Sequence, residues 1–132
     1  ALLISQIGRF NETLIKRDQV ANTYIENVIN PKLKLPQVPE NKTHAWQTFH
    51  ILLDSSKEKK TVISQLKSEG IGSNHGAQCI PAQKFFHQKY KLDLIKNFPN
   101  AMKAYEKGLA IPLYEKLTND DMYYIVDQIN NI

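Results

Sequence analysis

The sequence predicts a small α+β domain with a long N-terminal helix, a three-stranded antiparallel sheet and helices packed on one face of that sheet. Three observations indicate this class. Apolar residues recur at three- and four-residue steps through the first thirty positions, as in an amphipathic helix. Three later segments are rich in the β-branched, aromatic and aliphatic types that strands favour. Helical patterns separate them, so the predicted order is helix, strand, helix, strand, helices, strand, helix.

The composition fits one folded domain. The 132 residues include 42% hydrophobic types, enough to bury a core. No apolar run approaches the roughly 18 residues that cross a bilayer, and we find no signal peptide. Cys79 is the single cysteine, which excludes an internal disulfide and favours a reducing, cytoplasmic setting.

The net charge of +4 comes almost entirely from lysine, because Arg9 and Arg17 are the two arginines. Proteins that read nucleic acids favour the arginine fork for phosphates and base edges. We therefore expect a solvated lysine-rich surface, no membrane partner and no nucleic-acid partner, with weak nucleic-acid binding as the minor alternative.

Residues 1–30 are predicted to form one long helix whose apolar stripe begins with Leu3, Ile7, Phe10 and Leu14. Gly8 weakens this pattern without ending it. The helix has to stop near Asn30, because Pro31 disfavours helical geometry in the residue before it. Residues 31–42 carry three prolines between lysines and are predicted to be an extended linker. Because the chain starts within a helix and without a methionine, we expect it to be a piece of a longer protein.

The first strand is predicted over residues 43–53, which open the small α+β domain at 43–132. Alternation separates its two faces. The face expected to meet the core carries Ala45, Gln47, Phe49, Ile51 and Leu53. The other carries His44, Trp46, Thr48, His50 and Leu52. Such a mixed face is expected where a sheet meets another domain.

A helix is predicted next, capped by Ser55 or Ser56 and ended near Glu69 by Gly70. Its inward face carries Val62, Ile63 and Leu66. Residues 71–80 form the second strand candidate, although two glycines weaken it.

Pro81 is predicted to begin a short aromatic helix, and Pro99 a further helix that ends at Gly108. The aromatic residues are Phe85, Phe86 and Tyr90. They could stack on a nucleic-acid base, but aromatic residues on a short helix more often pack in a core, and we expect that here.

The third strand is predicted over residues 109–114, where Pro112 confines it to an edge or a strand end. Thr118 and Asp121 have the spacing of a capping box. The final helix follows, and one of its faces carries Met122, Ile125, Val126 and Ile129.

No catalytic machinery that acts alone is visible in the sequence. A Gly-rich phosphate loop and paired CxxC motifs are missing. His44 and His50 would lie about 20 Å apart on an extended strand, too far to share a metal ion. His75 and Cys79 would lie about 13 Å apart, which argues against a nucleophile and its base. We expect Cys79 to be a small buried thiol.

Several segments, taken in order, carry more information than any one of them. The first helix contains Gln6-Ile7-Gly8-Arg9-Phe10, Lys16-Arg17 and Ala21-Asn22-Thr23-Tyr24. The first strand contains His44-Ala45-Trp46-Gln47-Thr48-Phe49. Later segments are Gly70-Ile71, Gly72-Ser73-Asn74-His75-Gly76-Ala77-Gln78, Phe98-Pro99-Asn100-Ala101 and Leu109-Ala110-Ile111-Pro112-Leu113-Tyr114. At these spacings the chain resembles the C-terminal small domain of the DegT/DnrJ/EryC1/StrS family of sugar aminotransferases.

The resemblance implies a fold-type I aminotransferase, a homodimer that uses pyridoxal phosphate (PLP) as its cofactor. It implies glutamate as the amino donor and a nucleotide-linked keto sugar as the acceptor, for coat, capsule, lipopolysaccharide or antibiotic sugars. The family's Schiff-base lysine belongs to a large domain, and we assign that role to none of the fifteen lysines here. We therefore expect the chain to lack the PLP-binding domain, to be inactive alone and to bind no PLP by itself.

By the same resemblance, the small domain packs on the large domain of the same chain and closes one side of the cleft. Asn74, His75 and Gln78 are then predicted to face the cleft and its substrate. The alternative is that they are turn residues that satisfy backbone groups. Many relatives have Pro-x-His where this chain has Gln83, so the contact made by that histidine does not carry over. We assign no catalytic, cofactor-binding or metal-binding residue.

A stand-alone module that binds or scaffolds another protein is the competing hypothesis. It would use the mixed face of the sheet and the long first helix to hold its partner.

Overall fold

The computed structural model describes residues 2–54 and 58–132. The helices are α1 Leu2–Ile7, α2 Phe10–Asn27, α3 Lys59–Ser68, α4 Lys84–Tyr90, α5 Leu94–Asn97, α6 Pro99–Lys107 and α7 Asn119–Asn130. A short 3-10 helix spans Ile80–Ala82. The strands are β1 Leu33–Lys34, β2 Phe49–Leu53 and β3 Gly108–Ile111. They form one sheet in the order β1-β2-β3, with β1 and β2 antiparallel, and this confirms the predicted α+β class.

The N-terminal helix is interrupted, which differs from the continuous helix predicted over residues 1–30. It breaks at Gly8 and Arg9, where the Arg9 amide donates to the carbonyl of Gln6 at 3.1 Å. Glycine costs a helix interior about 1 kcal/mol relative to alanine, so the break falls at the weakest position. α2 ends at Asn27, before Asn30, because Val28 already has extended geometry.

The strand pattern is the largest difference from prediction. Residues 33–34, within the predicted linker, form β1, whereas only the second half of 43–53 forms β2. Phe49, Ile51 and Leu53 are buried as predicted, and Ala45 and Gln47 are exposed. Trp46, predicted on the mixed face, is instead 2% exposed, because its φ of 46° turns the chain out of strand geometry and breaks the alternation.

The predicted strand over 71–80 is wrong. Among the described residues its contribution to pairing is one isolated bridge, between Asn74 and Ala110. A glycine lowers strand stability by removing a side chain that would pack, and this segment has two. The sheet reaches three strands through β1 instead.

The helix that precedes this segment largely follows prediction. Gly70 ends α3 with a φ of 73°, the left-handed geometry that a C-terminal glycine supplies. The predicted inward positions Val62 and Leu66 are buried, and Ile63 is half-buried. The predicted cap at Ser55 or Ser56 lies outside the described residues.

The C-terminal elements match the sequence closely. Pro112 lies just past the end of β3, at the edge of the sheet. The Thr118 hydroxyl accepts from the Asp121 amide at 3.1 Å, and the Asp121 carboxylate accepts from the Thr118 amide at 3.1 Å, which completes the predicted capping box. The predicted apolar face of α7 is buried and comprises Met122, Ile125, Val126 and Ile129.

The chain divides into two compact units. The first comprises the N-terminal residues through Pro31 together with 36–49 and 112–132. In this unit α2 packs against α7. The buried Tyr24 of α2 is part of the core, and its hydroxyl donates to the Pro112 carbonyl at 2.8 Å. The second unit comprises 32–35 and 50–111. Its buried hydrophobic side chains are Ile51, Leu53, Val62, Leu66, Ile71, Cys79, Leu109, Ala110 and Ile111. The buried thiol at Cys79 agrees with prediction.

Within the described ranges, no helix combines the length and the apolar character that a bilayer crossing needs.

Candidate functional site

The three residues predicted to face a sugar lie on the exposed segment that follows α3. Asn74, His75 and Gln78 all have exposed side chains. The Asn74 backbone pairs with Ala110 of β3, donating at 3.2 Å and accepting at 3.0 Å. The Asn74 side-chain oxygen accepts from the Gly76 amide at 2.9 Å. We call residues 74–78 the Asn74 turn.

The Asn74 side chain thus satisfies a backbone amide within its own turn, as a turn residue does. Asn74 as a whole is exposed. A carboxamide has two donors and one acceptor oxygen with two lone pairs, so the hydrogen bond to Gly76 leaves capacity for a ligand. The turn therefore presents an amide, an imidazole and a second amide from Asn74, His75 and Gln78.

His50 is the functional candidate that the sequence did not single out. It lies on β2, and its ring packs against Gly76 of the Asn74 turn and against Gly108 at the start of β3. Its Nε2 atom is buried and has no hydrogen-bond partner among the described residues. Burial lowers the pKa of the imidazole, and the positive charge of Lys59 lowers it further. The signal in the sequence was the isolated Gly76, because such a glycine marks a close approach of another group.

Lys59, the first residue of α3, completes this cluster. Its ammonium donates to the Tyr105 carbonyl and lies 5.3 Å from the centre of the Tyr105 ring. Burial lowers the pKa of Lys59, and Glu106 opposes that shift. Contact with an aromatic face stabilises a cation. Lys59 of α3 therefore has a structural role, because it binds Tyr105 of α6.

These groups do not fit a complete PLP site. Such a site needs a free lysine amine and an acid for the pyridinium nitrogen. The half-buried Lys59 donates its ammonium to the Tyr105 carbonyl, and the neighbouring titratable group His50 is a base. In the described part of the chain, no three His, Cys, Asp or Glu side chains are grouped to hold a metal ion.

The first unit carries a separate open groove of about 1100 Å³. One wall is α2 and the other is the proline-containing segment 36–46. At its floor the Trp46 indole donates to the Asp18 carboxylate at 2.9 Å. The residues predicted to face the sugar are not among those that line it.

The aromatic residues of α4 do not pack in a core, which corrects the expectation for them. Phe85 is 62% exposed, Phe86 37% and Tyr90 56%. They pack on each other instead, with ring centres 5.3 Å apart for Phe85 and Phe86 and 6.4 Å apart for Phe86 and Tyr90. α4 has seven residues and buries none of them, which leaves these rings at the surface.

The sequence model of the DegT/DnrJ/EryC1/StrS aminotransferase family matches residues 1–130 of the chain. The spore coat polysaccharide biosynthesis protein SpsC of Bacillus subtilis is 29% identical over an alignment of 140 positions, which covers 100% of this chain and 35% of SpsC. A dTDP-3-amino-3,6-dideoxy-alpha-D-galactopyranose transaminase of Aneurinibacillus thermoaerophilus is 19% identical over 130 positions, 98% of this chain and 34% of that protein.

Among solved structures, Spr1654 of Streptococcus pneumoniae in its PLP form superposes with a TM-score of 0.84 at 17% identity. The match covers 97% of this chain and 33% of Spr1654. It shows a shared fold. The chain thus spans about a third of the length of the relatives that it matches.

Proposed function

The chain belongs to the DegT/DnrJ/EryC1/StrS aminotransferase family, and from that premise we propose that it is the C-terminal part of a PLP-dependent aminotransferase. The acceptor would be a keto sugar carried on a nucleotide, and glutamate would be the amino donor. The observation that carries the proposal is the match of the family model across residues 1–130. The names of SpsC and of the dTDP-sugar transaminase support a sugar as the acceptor.

In this proposal the reacting groups lie outside the chain. PLP, held by the large domain, supplies the electron sink for transamination. The working protein is a homodimer in the cytoplasm, and its small domain closes one side of the cleft.

Asn74, His75 and Gln78 are proposed to contact the sugar. Their side chains are exposed, so they are free to meet a ligand, and they offer both donors and acceptors to hydroxyl groups. Hydrogen bonds of this kind discriminate strongly between substrates, because a missing partner leaves a buried polar group unpaired.

The test uses the intact protein that contains this chain. It is purified, scanned for the absorbance of a PLP-lysine adduct, and assayed with glutamate and with dTDP-linked 3-keto- and 4-keto-6-deoxyhexoses. We expect 2-oxoglutarate and an amino sugar to form together, and the 132-residue chain alone to form neither. An intact protein without bound PLP that instead captures another protein would support the scaffold module and overturn the proposal.

The contribution of the turn is tested separately. In the active enzyme, Asn74→Ala, His75→Ala and Gln78→Ala are each expected to raise KM for the keto sugar and to leave KM for glutamate unchanged. Ser68→Ala is the matched control, because Ser68 is an exposed residue of α3 whose hydroxyl bonds the carbonyl of Gln65 in its own helix. If all three variants behave like that control, the turn does not contact the sugar.

A further inference from the structure

The His50 ring fills the space that a side chain at Gly76 or at Gly108 would need. A Cβ atom built on Gly76 would lie 2.2 Å from His50 Cδ2 and 2.5 Å from Nε2. A Cβ atom built on Gly108 would lie 2.2 Å from His50 Nε2 and 2.6 Å from Cε1. Carbon atoms do not approach so closely in packed proteins, so the ring lies directly against both glycine backbones. One imidazole thereby supports the Asn74 turn and the first residue of β3.

The Asn74 turn is fixed from another side as well. Its first residue pairs in both directions with Ala110 of β3. The same Ala110 amide would lie 3.2 Å from a Cβ on Gly76. The turn is therefore confined by a strand edge and by the imidazole ring. Of these two supports, the ring is the one that a substitution can remove without breaking the backbone pairing.

Packing alone does not explain an imidazole at position 50, because an apolar side chain would fill the space without burying a polar atom. Its Nε2 atom is buried with no hydrogen-bond partner in the part of the chain that the structure describes. Leaving a buried polar atom unpaired costs roughly 1–3 kcal/mol. Natural proteins accept such costs mainly at functional positions. Burial of the ring lowers the pKa of His50, and the positive charge of Lys59 on α3 lowers it further.

We propose that His50 is a positioning residue for sugar recognition, whose ring sets where the Asn74 turn presents its side chains. This inference rests on the proposed function. The Nε2 atom of His50 is enclosed and is not available to bind the substrate directly. His50 acts through Gly76, which it contacts, on Asn74, whose side chain is bonded to the Gly76 amide. A displaced Gly76 amide would release or move that side chain.

The experiment compares the intact enzyme with His50→Ala and His50→Gln. Alanine removes the ring from beneath Gly76, whereas glutamine returns a planar polar group near the position of Nε2. A misplacement of about 1 Å can cost roughly 10²-fold in catalysis. We expect His50→Ala to lower kcat/KM for the accepted dTDP-linked keto sugar roughly 10- to 100-fold by that reasoning, mainly through a higher KM. His50→Gln should recover most of this loss, and KM for glutamate should stay unchanged in both.

The matched control is Val126→Ala, which truncates a buried side chain of the other compact unit. A loss of stability alone would lower the active fraction and leave KM for the sugar unchanged, as expected for this control. A second measurement is equilibrium binding of the same sugar nucleotide, which should weaken in parallel with KM for His50→Ala.

The outcomes separate the two proposals. A wild-type protein that transaminates no nucleotide sugar refutes the proposed function. An active wild type whose His50→Ala variant keeps KM and binding for the sugar, or raises the two KM values equally, overturns the positioning role and leaves the proposed function intact.

Discussion

The indole nitrogen of Trp46 donates to the carboxylate of Asp18 at 2.9 Å, which ties a residue in left-handed geometry to α2. Trp46 is 2% exposed and stacks on Phe49 with ring centres 5.6 Å apart. A buried indole nitrogen needs an acceptor, and Asp18 is the residue that supplies it. This bond thus fixes an irregular segment onto a regular helix.

Removing the acceptor should destabilise the protein. Asp18→Ala leaves a buried donor unpaired, so the free energy of unfolding should fall by about 1–3 kcal/mol. Asp18→Asn keeps an oxygen in place and should lose less than half of that. Urea unfolding followed by tryptophan fluorescence measures both. Asn22→Ala is the control, because it removes only the exposed bond from Asn22 to the same carboxylate. Equal losses for Asp18→Ala and Asn22→Ala would contradict the prediction.

Hydrogen bonds of the Asn30 and Asn130 side chains join the segment that follows α2 to residues 129–132. The Asn30 side-chain nitrogen lies within 3.3 Å of the carbonyls of Ile129, Asn130 and Ile132. The Asn130 oxygen accepts from the Ile29 and Asn30 amides at 2.8 Å and 3.2 Å.

Asn30→Asp should lower the free energy of unfolding more than Asn30→Ala does, although aspartate is closer to asparagine in shape. A carboxylate accepts only and would face several carbonyl oxygens, whereas alanine introduces no repulsion. We expect Asn30→Ala to cost about 1–3 kcal/mol and Asn30→Asp at pH 7 to cost more. Thermal unfolding of the two variants decides the order. The reverse order would show that the amide nitrogen does not hold these carbonyls.

The capping box of α7 should make the stability of the protein depend on pH in the acid range. Hydrogen bonds from the Thr118 hydroxyl and amide lower the pKa of Asp121 below its ordinary value of 3.8. A carboxylate with a lowered pKa stabilises the fold above the unfolded-state value, and this contribution is lost as pH falls through the folded-state value.

The stability difference between the wild type and Asp121→Ala should therefore be largest above pH 3.8 and shrink as the pH is lowered beneath it. Asp120→Ala changes the neighbouring acid in the same first turn and is the matched control. Urea midpoints at a series of pH values measure both. A difference that stays constant down to the lowest pH would exclude the capping role of Asp121.

Two glycines with left-handed backbones provide a matched pair. Gly70 has a φ of 73° and open space around it, whereas Gly76 has a φ of 67° and the His50 ring against it. Alanine in this geometry costs about 1–2 kcal/mol. Gly70→Ala should lose about that amount, and Gly76→Ala should lose about 1–3 kcal/mol more through overpacking.

The coupling is measured with a double-mutant cycle. His50→Ala should relieve part of the cost of Gly76→Ala and none of the cost of Gly70→Ala. Additive effects for the pair His50 and Gly76 would contradict the contact between the imidazole and the turn.

The sequence was sufficient wherever short-range patterns decide the structure. The helix after Thr118 was predicted with its cap and its buried face, because the box and the stripe are complete within twelve residues. Gly70 and Pro99 marked helix ends for the same reason: their backbone preferences act locally. The family resemblance also followed from ordered local segments, and the match over residues 1–130 confirms it.

Tertiary contacts decided what local patterns leave open. Residues 33–34 form a strand because β2 lies beside them, with Leu33 opposite Leu53. The sequence of two residues cannot indicate a pairing partner that is distant along the chain. Trp46 left its predicted face because a core and the Asp18 carboxylate were available to it. His50 gained its role only when two glycines from distant segments met its ring. Sequence periodicity reports the burial that each segment prefers, but close packing between segments is set by the whole chain.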